Sequence, residues 1–192
     1  MRMYLAGEWV DRATKIDVVN PFNGDIVDTV PRAGIEDIDT AIASAERGAT
    51  IMAAMSGYER YEMLMRAVAL MKERVGDLGR TITKEEGKII SEGLGEAERA
   101  IQTMTASAEE AKRLAGEVVP LDGAPTWTGQ LGFTLRVPCG IVAAISPFNF
   151  PLNLVAHKVG PALAAGNAVV IKPASDTPLS ALKLTEILVE AG

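Results

Sequence analysis

The residues best placed to do chemistry lie in the run Ile145-Ser146-Pro147-Phe148-Asn149-Phe150-Pro151-Leu152-Asn153 and at Lys172. Pro147 and Pro151 fix their own φ and bias the residues before them toward extended backbone, so the turn between them is stiff. It presents Asn149 between the aromatic neighbours Phe148 and Phe150. An amide held at the carboxyl end of a parallel strand suits an oxyanion hole, because ligands of open α/β sheets bind outside that edge. The alternative is an Asx turn, in which the side chain bonds only its own backbone. Lys172 closes a second apolar run immediately before Pro173, so its ammonium is expected on the same edge as Asn149. The alternative there is an ordinary solvated lysine.

Other reactive side chains are scarce, with one Cys and one His in 192 residues. Cys139 lies between Pro138 and Gly140 at the entrance to the first apolar run, with no neighbouring base or helix N-terminus to lower its pKa, and reads as structural. A single Cys excludes an intrachain disulfide, a Cys-based zinc site and a CxxC redox pair, and suits a reducing compartment. The lone His157 leaves no second imidazole for a His-rich metal site, and any Ser-His-Asp triad would depend on it wholly. It falls within a predicted helix beside Lys158, where a surface or interface role is expected, and no metal site is expected.

The elements that must position these residues follow from pattern. Val18 to Pro31 reads as a strand, the turn Asn20-Pro21-Phe22-Asn23-Gly24-Asp25, and a second strand from Ile26 to Val30. Ile35, Ile38, Ala41, Ile42, Ala45, Ala49 and Met52 fall on one helical face. A second helical face runs from Tyr58 through Leu64, Val68, Met71 and Val75 to Leu78, with charged residues opposite. A third helix is expected from about Gly95 to Leu114, stopped by Gly116, and these helices are expected to pack on one another. The eight Met residues fall mostly on these apolar faces and read as core filling.

Val118 to Gly132, with Pro120, Pro125 and three glycines, reads as loop or ribbon, and Phe133 to Val137 as extended. Gly140 to Ser146 and Ala168 to Lys172 have the continuous apolar character of strands buried on both faces. Leu152 to Ala165 reads as the helix between them, and Pro178 to Ala191 as a final helix with Gly192 at C′. The resulting βαβ unit has two parallel strands, too few for a doubly wound sheet, so the chain is expected to stop inside a domain.

Composition narrows the class. Forty-eight per cent hydrophobic and 23% charged residues over this length bury a real core. A net charge of −6, with 19 Lys+Arg against 25 Asp+Glu, leaves no basic tract for nucleic acid. The first residues lack an apolar run of secretory length, so no leader is expected. The apolar region from Val137 to Ile171 is interrupted by prolines, His157, Lys158 and Asn167, short of the roughly 20 uninterrupted residues of a membrane span. A cytoplasmic protein is expected.

Ile145 to Asn153, the run Gly160 to Ser175, the ending Thr177 to Gly192, Leu5 to Val10 and Asn20 to Asp25 together resemble the aldehyde dehydrogenase superfamily along the whole chain. In motif the chain looks most like lactaldehyde and non-phosphorylating glyceraldehyde-3-phosphate members. The resemblance implies oxidation of an aldehyde to an acid with NAD or NADP, through a cysteine thiolate, a thiohemiacetal, hydride transfer and thioester hydrolysis. Asn149 matches the amide that holds the thiohemiacetal oxyanion. Ile145, Ser146, Pro147 and Phe148 match the strand end lining the cofactor, Phe148 standing where Trp is usual. Lys172 matches the lysine that bonds the adenosine ribose. Ser175 stands where NAD-preferring members often carry Glu, so NADP should be tolerated.

The same resemblance sets Arg99 and Phe150 on the substrate side, and an anionic aldehyde follows if Arg99 faces the funnel; otherwise Arg99 is a solvated helix residue beside Glu96 and Glu98. It implies an α/β fold: a hairpin and helices of the cofactor domain over 1–117, an oligomerisation ribbon over 118–139, and the first, incomplete βαβα part of a Rossmann-like doubly wound domain over 140–192. The nucleophile Cys and the base Glu fall beyond residue 192, so the isolated chain is expected to be inactive until joined by the missing C-terminal part. A homodimer or homotetramer is expected of the complete enzyme. The rival readings are a non-catalytic binding or assembly module and a fragment of a CoA-acylating aldehyde dehydrogenase.

Overall fold

The computed structural model describes residues 1–192 and begins with two antiparallel hairpins. In the first, β1 (Met3–Leu5) pairs with β2 (Glu8–Val10); in the second, β3 (Lys15–Val19) pairs with β4 (Ile26–Pro31) around the expected turn. The side chains of Asn20 and Asn23 accept from the Phe22 and Asp25 amides at 3.0 and 3.1 Å, the bonding that makes Asn a turn residue.

Helix α1 (Ile35–Ala54) follows, its first turn fastened by Asp37, which accepts from the Gly34 amide at 2.9 Å and pairs with Arg12. The Arg12 guanidinium holds the Asp37 carboxyl below the usual carboxylate range. The predicted period is present, but the helix meets the helical core only near its C-terminal end, at Met52. Ile35, Ile38 and Ile42 stay exposed, and the Ala45 side of the helix lies instead on the parallel strands described below.

Ser56 opens α2 (Gly57–Glu73) through a capping box: its Oγ accepts from the Glu59 amide at 3.2 Å, and the Glu59 carboxylate accepts from the Ser56 amide at 2.7 Å. The apolar face expected to run unbroken to Leu78 is two helices. Arg74 is both the C-cap of α2 and the N-cap of α3 (Val75–Glu86). The break lets α3 turn onto α4 (Ile90–Ala111) at glycines: a Cβ on Gly79 would stand 2.7 Å from the Leu94 side chain, and one on Gly93 would stand 2.6 Å from the Gly79 carbonyl oxygen. Helix α4 thus starts before the predicted Gly95, because Gly93 serves contact rather than termination. It also ends before Leu114, which is exposed, so Gly116 is not its terminator.

The segment read as ribbon holds a short antiparallel pair, β5 (Val118–Val119) with β6 (Gly132–Phe133), and leaves Val118, Leu131, Phe133, Leu135 and Val137 exposed. Strands β7 (Ile141–Ile145) and β8 (Ala168–Lys172) are parallel, with α5 (Asn153–Ala164) between them in sequence and α6 (Leu179–Ala191) after. Neither strand is buried on both faces. Ala144 is buried but Ile145 is 64% exposed, because a two-stranded sheet consists of edges. Buried Asn167 ties the unit together: its side-chain oxygen accepts from the Gly140 amide at 2.9 Å and its amide donates to the Ala162 carbonyl at 3.1 Å.

One core of 22 buried residues joins α2, α3 and α4 to α5 and α6, with Leu64, Met71, Leu78, Ile82, Met104, Leu152, Leu184 and Ile187 among its fully buried members. Two glycine substitutions separate packing from propensity. Gly93→Ala should destabilise the chain by about 1–3 kcal/mol through the α3–α4 clash. Gly95→Ala, whose Cβ meets nothing within 4 Å, should be neutral or stabilise by about 0.5–1 kcal/mol. Urea denaturation of both variants checks this; equal effects would contradict the close crossing.

Candidate functional site

Both parallel strands end at the same level. Ile145 pairs with Lys172, and the Ser146 amide donates to the Lys172 carbonyl at 3.2 Å. The loop carrying Asn149 and the loop carrying Ser175 therefore leave one sheet edge side by side. Thr177 Oγ1 donates to the Phe148 carbonyl at 3.4 Å and bridges them.

Each loop runs into a helix that has no side-chain cap of its own. The caps come from distant glutamates. Glu96 of α4 is buried, and its Oε1 accepts from the Leu152 and Asn153 amides at 3.0 and 3.1 Å where α5 begins. Glu85 of α3 is also buried; it accepts from the Leu179 and Ser180 amides at 2.6 and 2.9 Å, and from the Ser180 hydroxyl, where α6 begins. Helix N-termini leave amides without partners and carry partial positive charge, so a carboxylate there satisfies both demands. At the other ends, Arg60 and Arg66 of α2 donate to the Ala164 and Ala191 carbonyls at 2.9 and 2.7 Å. Each of α5 and α6 is thus held at its N-terminus by a buried glutamate and at its C-terminus by an arginine.

On this frame Asn149 is exposed, and its side chain makes no hydrogen bond within the chain, so the Asx-turn alternative is not realised. Its backbone carbonyl accepts instead from Lys88 Nζ at 2.7 Å. Ile145 and Phe148 offer apolar surface at the edge, Pro147 is exposed between them, and Ser146 is buried with its hydroxyl lacking any partner. Lys172 is exposed and donates only to the adjacent Pro173 carbonyl at 3.0 Å; Ser175 is exposed on the same loop. Cys139 is exposed at the entrance to β7.

Arg99 lies with its guanidinium carbon 5.6 Å from the Phe150 ring centroid, a cation over an aromatic face. Glu96, three residues before it on the same helix, points inward. Arg99 also lines a groove of about 520 Å³ between α4 and α5, with Gln102, Thr103, Asn153 and His157. There Thr103 Oγ1 donates to Asn153 Oδ1 at 2.9 Å and lies 3.5 Å from His157 Nε2. His157 is exposed, as expected, and lines this groove. The sequence reading missed Thr103 and Asn153 as groove residues, and Lys88, Glu85 and Glu96 altogether. The four-residue spacings Arg99–Thr103 and Asn153–His157, which put each pair on one helix face, were the signal available for the groove.

A parallel βαβ unit with a free amide and a lysine at its carboxyl edge defines an α/β protein of the kind that binds ligands at that edge. The chain belongs to the aldehyde dehydrogenase family, whose sequence profile matches residues 9–192. It is 47% identical over 190 residues to 3-sulfolactaldehyde dehydrogenase of Priestia aryabhattai, covering 99% of this chain and 39% of that protein. It superposes on aldehyde dehydrogenase 21 of Physcomitrella patens, solved with the reaction product succinate, with a TM-score of 0.94 and 46% identity, covering 99% of this chain and 40% of that one. The NADP-dependent glyceraldehyde-3-phosphate dehydrogenase of Bacillus halodurans C-125, solved with NADP, matches with a TM-score of 0.93 and 35% identity, over 100% of this chain and 39% of that one. Another similar structure was solved with nicotinamide adenine dinucleotide. The chain thus spans about two fifths of the length of these relatives.

The Glu85 cap makes stability depend on pH. Burial raises its carboxyl from the ordinary 4.5 to about 7, against the pull of the Ser180 and Leu179 donors. Between those values the folded chain binds more protons than the unfolded chain. The Glu85 contribution to stability therefore falls as pH rises through this window and is level above it. Denaturant midpoints measured from about pH 5 to about pH 8 should decline for the native chain and lose much of that slope in Glu85→Gln. An unchanged slope in the variant would show that another group is responsible.

Proposed function

We propose that this chain supplies the oxyanion-binding amide and part of the NAD(P) site of an enzyme that oxidises an aldehyde to a carboxylic acid. The observation that carries the reading is Asn149 itself. Its side-chain amide is free, while the loop that bears it is held by the Lys88 bond to its carbonyl and the Glu96 bonds three and four residues on. A donor fixed in advance stabilises charge that develops on a carbonyl oxygen without having to reorganise at the moment of reaction.

The residues at the sheet edge suit a dinucleotide. Ile145 and Phe148 give it apolar surface, Lys172 a cation for ribose and phosphate oxygens, and the unpartnered Ser146 hydroxyl a buried polar group without another use. When bound, the dinucleotide supplies the two-electron acceptor for the oxidation. Pro147 keeps the strand end rigid beside it. Ser175 places no negative charge where a 2′-phosphate would lie, which favours tolerance of NADP as well as NAD.

The α4–α5 groove serves as the approach for the aldehyde, with Arg99 as its cation and Phe150 packed near that cation. That cation suits an anionic aldehyde, in keeping with the sulfolactaldehyde, succinate and glyceraldehyde-3-phosphate named for the similar proteins. The exposed apolar ribbon around β5 and β6 is read as the surface through which the complete enzyme forms a homodimer or homotetramer. No helix is long and apolar enough to cross a membrane, and a cytoplasmic setting is proposed from the cysteine usage.

The test is made on the intact enzyme that contains these 192 residues. Aldehyde-dependent formation of NADH or NADPH is expected, and Asn149→Ala should lower kcat by about 10²–10³-fold with little change in the KM for cofactor. Full activity in Asn149→Ala would remove the oxyanion role. Arg99→Ala should raise KM for an anionic aldehyde by about tenfold or more while leaving a neutral aldehyde of the same length unaffected. Equal effects on both would refute charge recognition by Arg99.

A further inference from the structure

Beyond holding the loop, Lys88 makes two directed contacts at Asn149 and its neighbour Phe150, the residues nearest the free amide. Gly87, at φ +89, closes α3 in the left-handed region, where glycine is favoured, and launches Lys88 toward the loop. The Lys88 side chain is 14% exposed. Its ammonium donates to Glu96 Oε2 at 2.7 Å and to the Asn149 carbonyl at 2.7 Å, and stands 3.8 Å from the centroid of the Phe150 ring. Glu86 lies 3.9 Å away on the remaining side.

A bare ion pair with Glu96 would need only the first of these contacts. The contacts together form a bracket across residues 149–153: the ammonium grips the carbonyl of Asn149, while the carboxylate it is paired with grips the amides of Leu152 and Asn153. The main chain that carries the Asn149 side chain is held by a charge-assisted bond at its carbonyl and by the cation–π contact at the next residue.

We propose that Lys88 is a positioning residue, which fixes the Asn149 peptide and through it the direction in which the Asn149 amide donates. The proposal rests on the reading of Asn149 as the oxyanion donor. In the intact enzyme, Lys88→Met should lower kcat by about tenfold or more with the cofactor KM little changed, and Lys88→Arg should recover part of the loss. In the Asn149→Ala background, Lys88→Met should cost nothing further, because the group it positions is gone. A purely structural lysine would lower activity equally in both backgrounds, and that result would overturn the proposal.

The crystal structure of Lys88→Met gives a readout independent of turnover. A displaced or disordered Asn149 side chain is expected, and an unmoved one overturns the proposal. Should Lys88→Met not fold, Lys88→Gln, which keeps one donor of similar reach, takes its place in both measurements with the same criteria. If instead Asn149→Ala is fully active while Asn149 moves in the Lys88 variant, the positioning stands and the oxyanion reading falls.

Discussion

Two buried carboxylates hold this fold in register. Glu96 and Glu85 reach out of α4 and α3 to cap α5 and α6, helices that begin 57 and 94 residues further along the chain. Neither helix has a local cap, and each buried amide left without a partner costs about 1–3 kcal/mol. With Arg60 and Arg66 at the opposite ends, both helices of the βαβ unit are closed at each end by side chains drawn entirely from the preceding helices. The apolar core fixes how closely these helices pack; the hydrogen-bonded ends fix where along their axes they stop.

That constraint reaches the candidate site because the capped ends are also loop ends. The amides that Glu96 holds follow Asn149 by three and four residues, and those held by Glu85 follow Ser175 by four and five. Locking the first turns of α5 and α6 locks the loops against the end of the two-stranded sheet, and Thr177 and Lys88 add the remaining tethers. On the proposed function, the cost of preorganising an amide donor is met during folding, by side chains that never approach the substrate.

The local grammar of the sequence carried much of this. The Asn20–Asp25 turn, the strands at Ile141–Ile145 and Ala168–Lys172, and the helix between them follow from turn residues and apolar runs. The grouping of Asn149 with Lys172 at one edge follows from the parallel register, and the family resemblance is matched by the profile over residues 9–192. What escaped depends on tertiary contact. The break at Arg74 has no marker, because Tyr58 to Leu78 keeps one apolar face through it. Gly93 resembles a helix breaker until its contact with Gly79 is seen. Glu85, Lys88 and Glu96 resemble the solvated charges around them, since nothing local says which carboxylate of a helix turns inward toward amides far along the chain.

Amide hydrogen exchange at Leu152, Asn153, Leu179 and Ser180 tests this arrangement most directly. Bonded to buried carboxylates, these amides should exchange as slowly as those in the interiors of α5 and α6, although they sit in first turns where amides ordinarily exchange fast. Glu96→Ala should release Leu152 and Asn153 while sparing Leu179 and Ser180, and Glu85→Ala the reverse. Rapid exchange at all these positions in the native protein would contradict the claim that the two glutamates hold the helices and the loops before them.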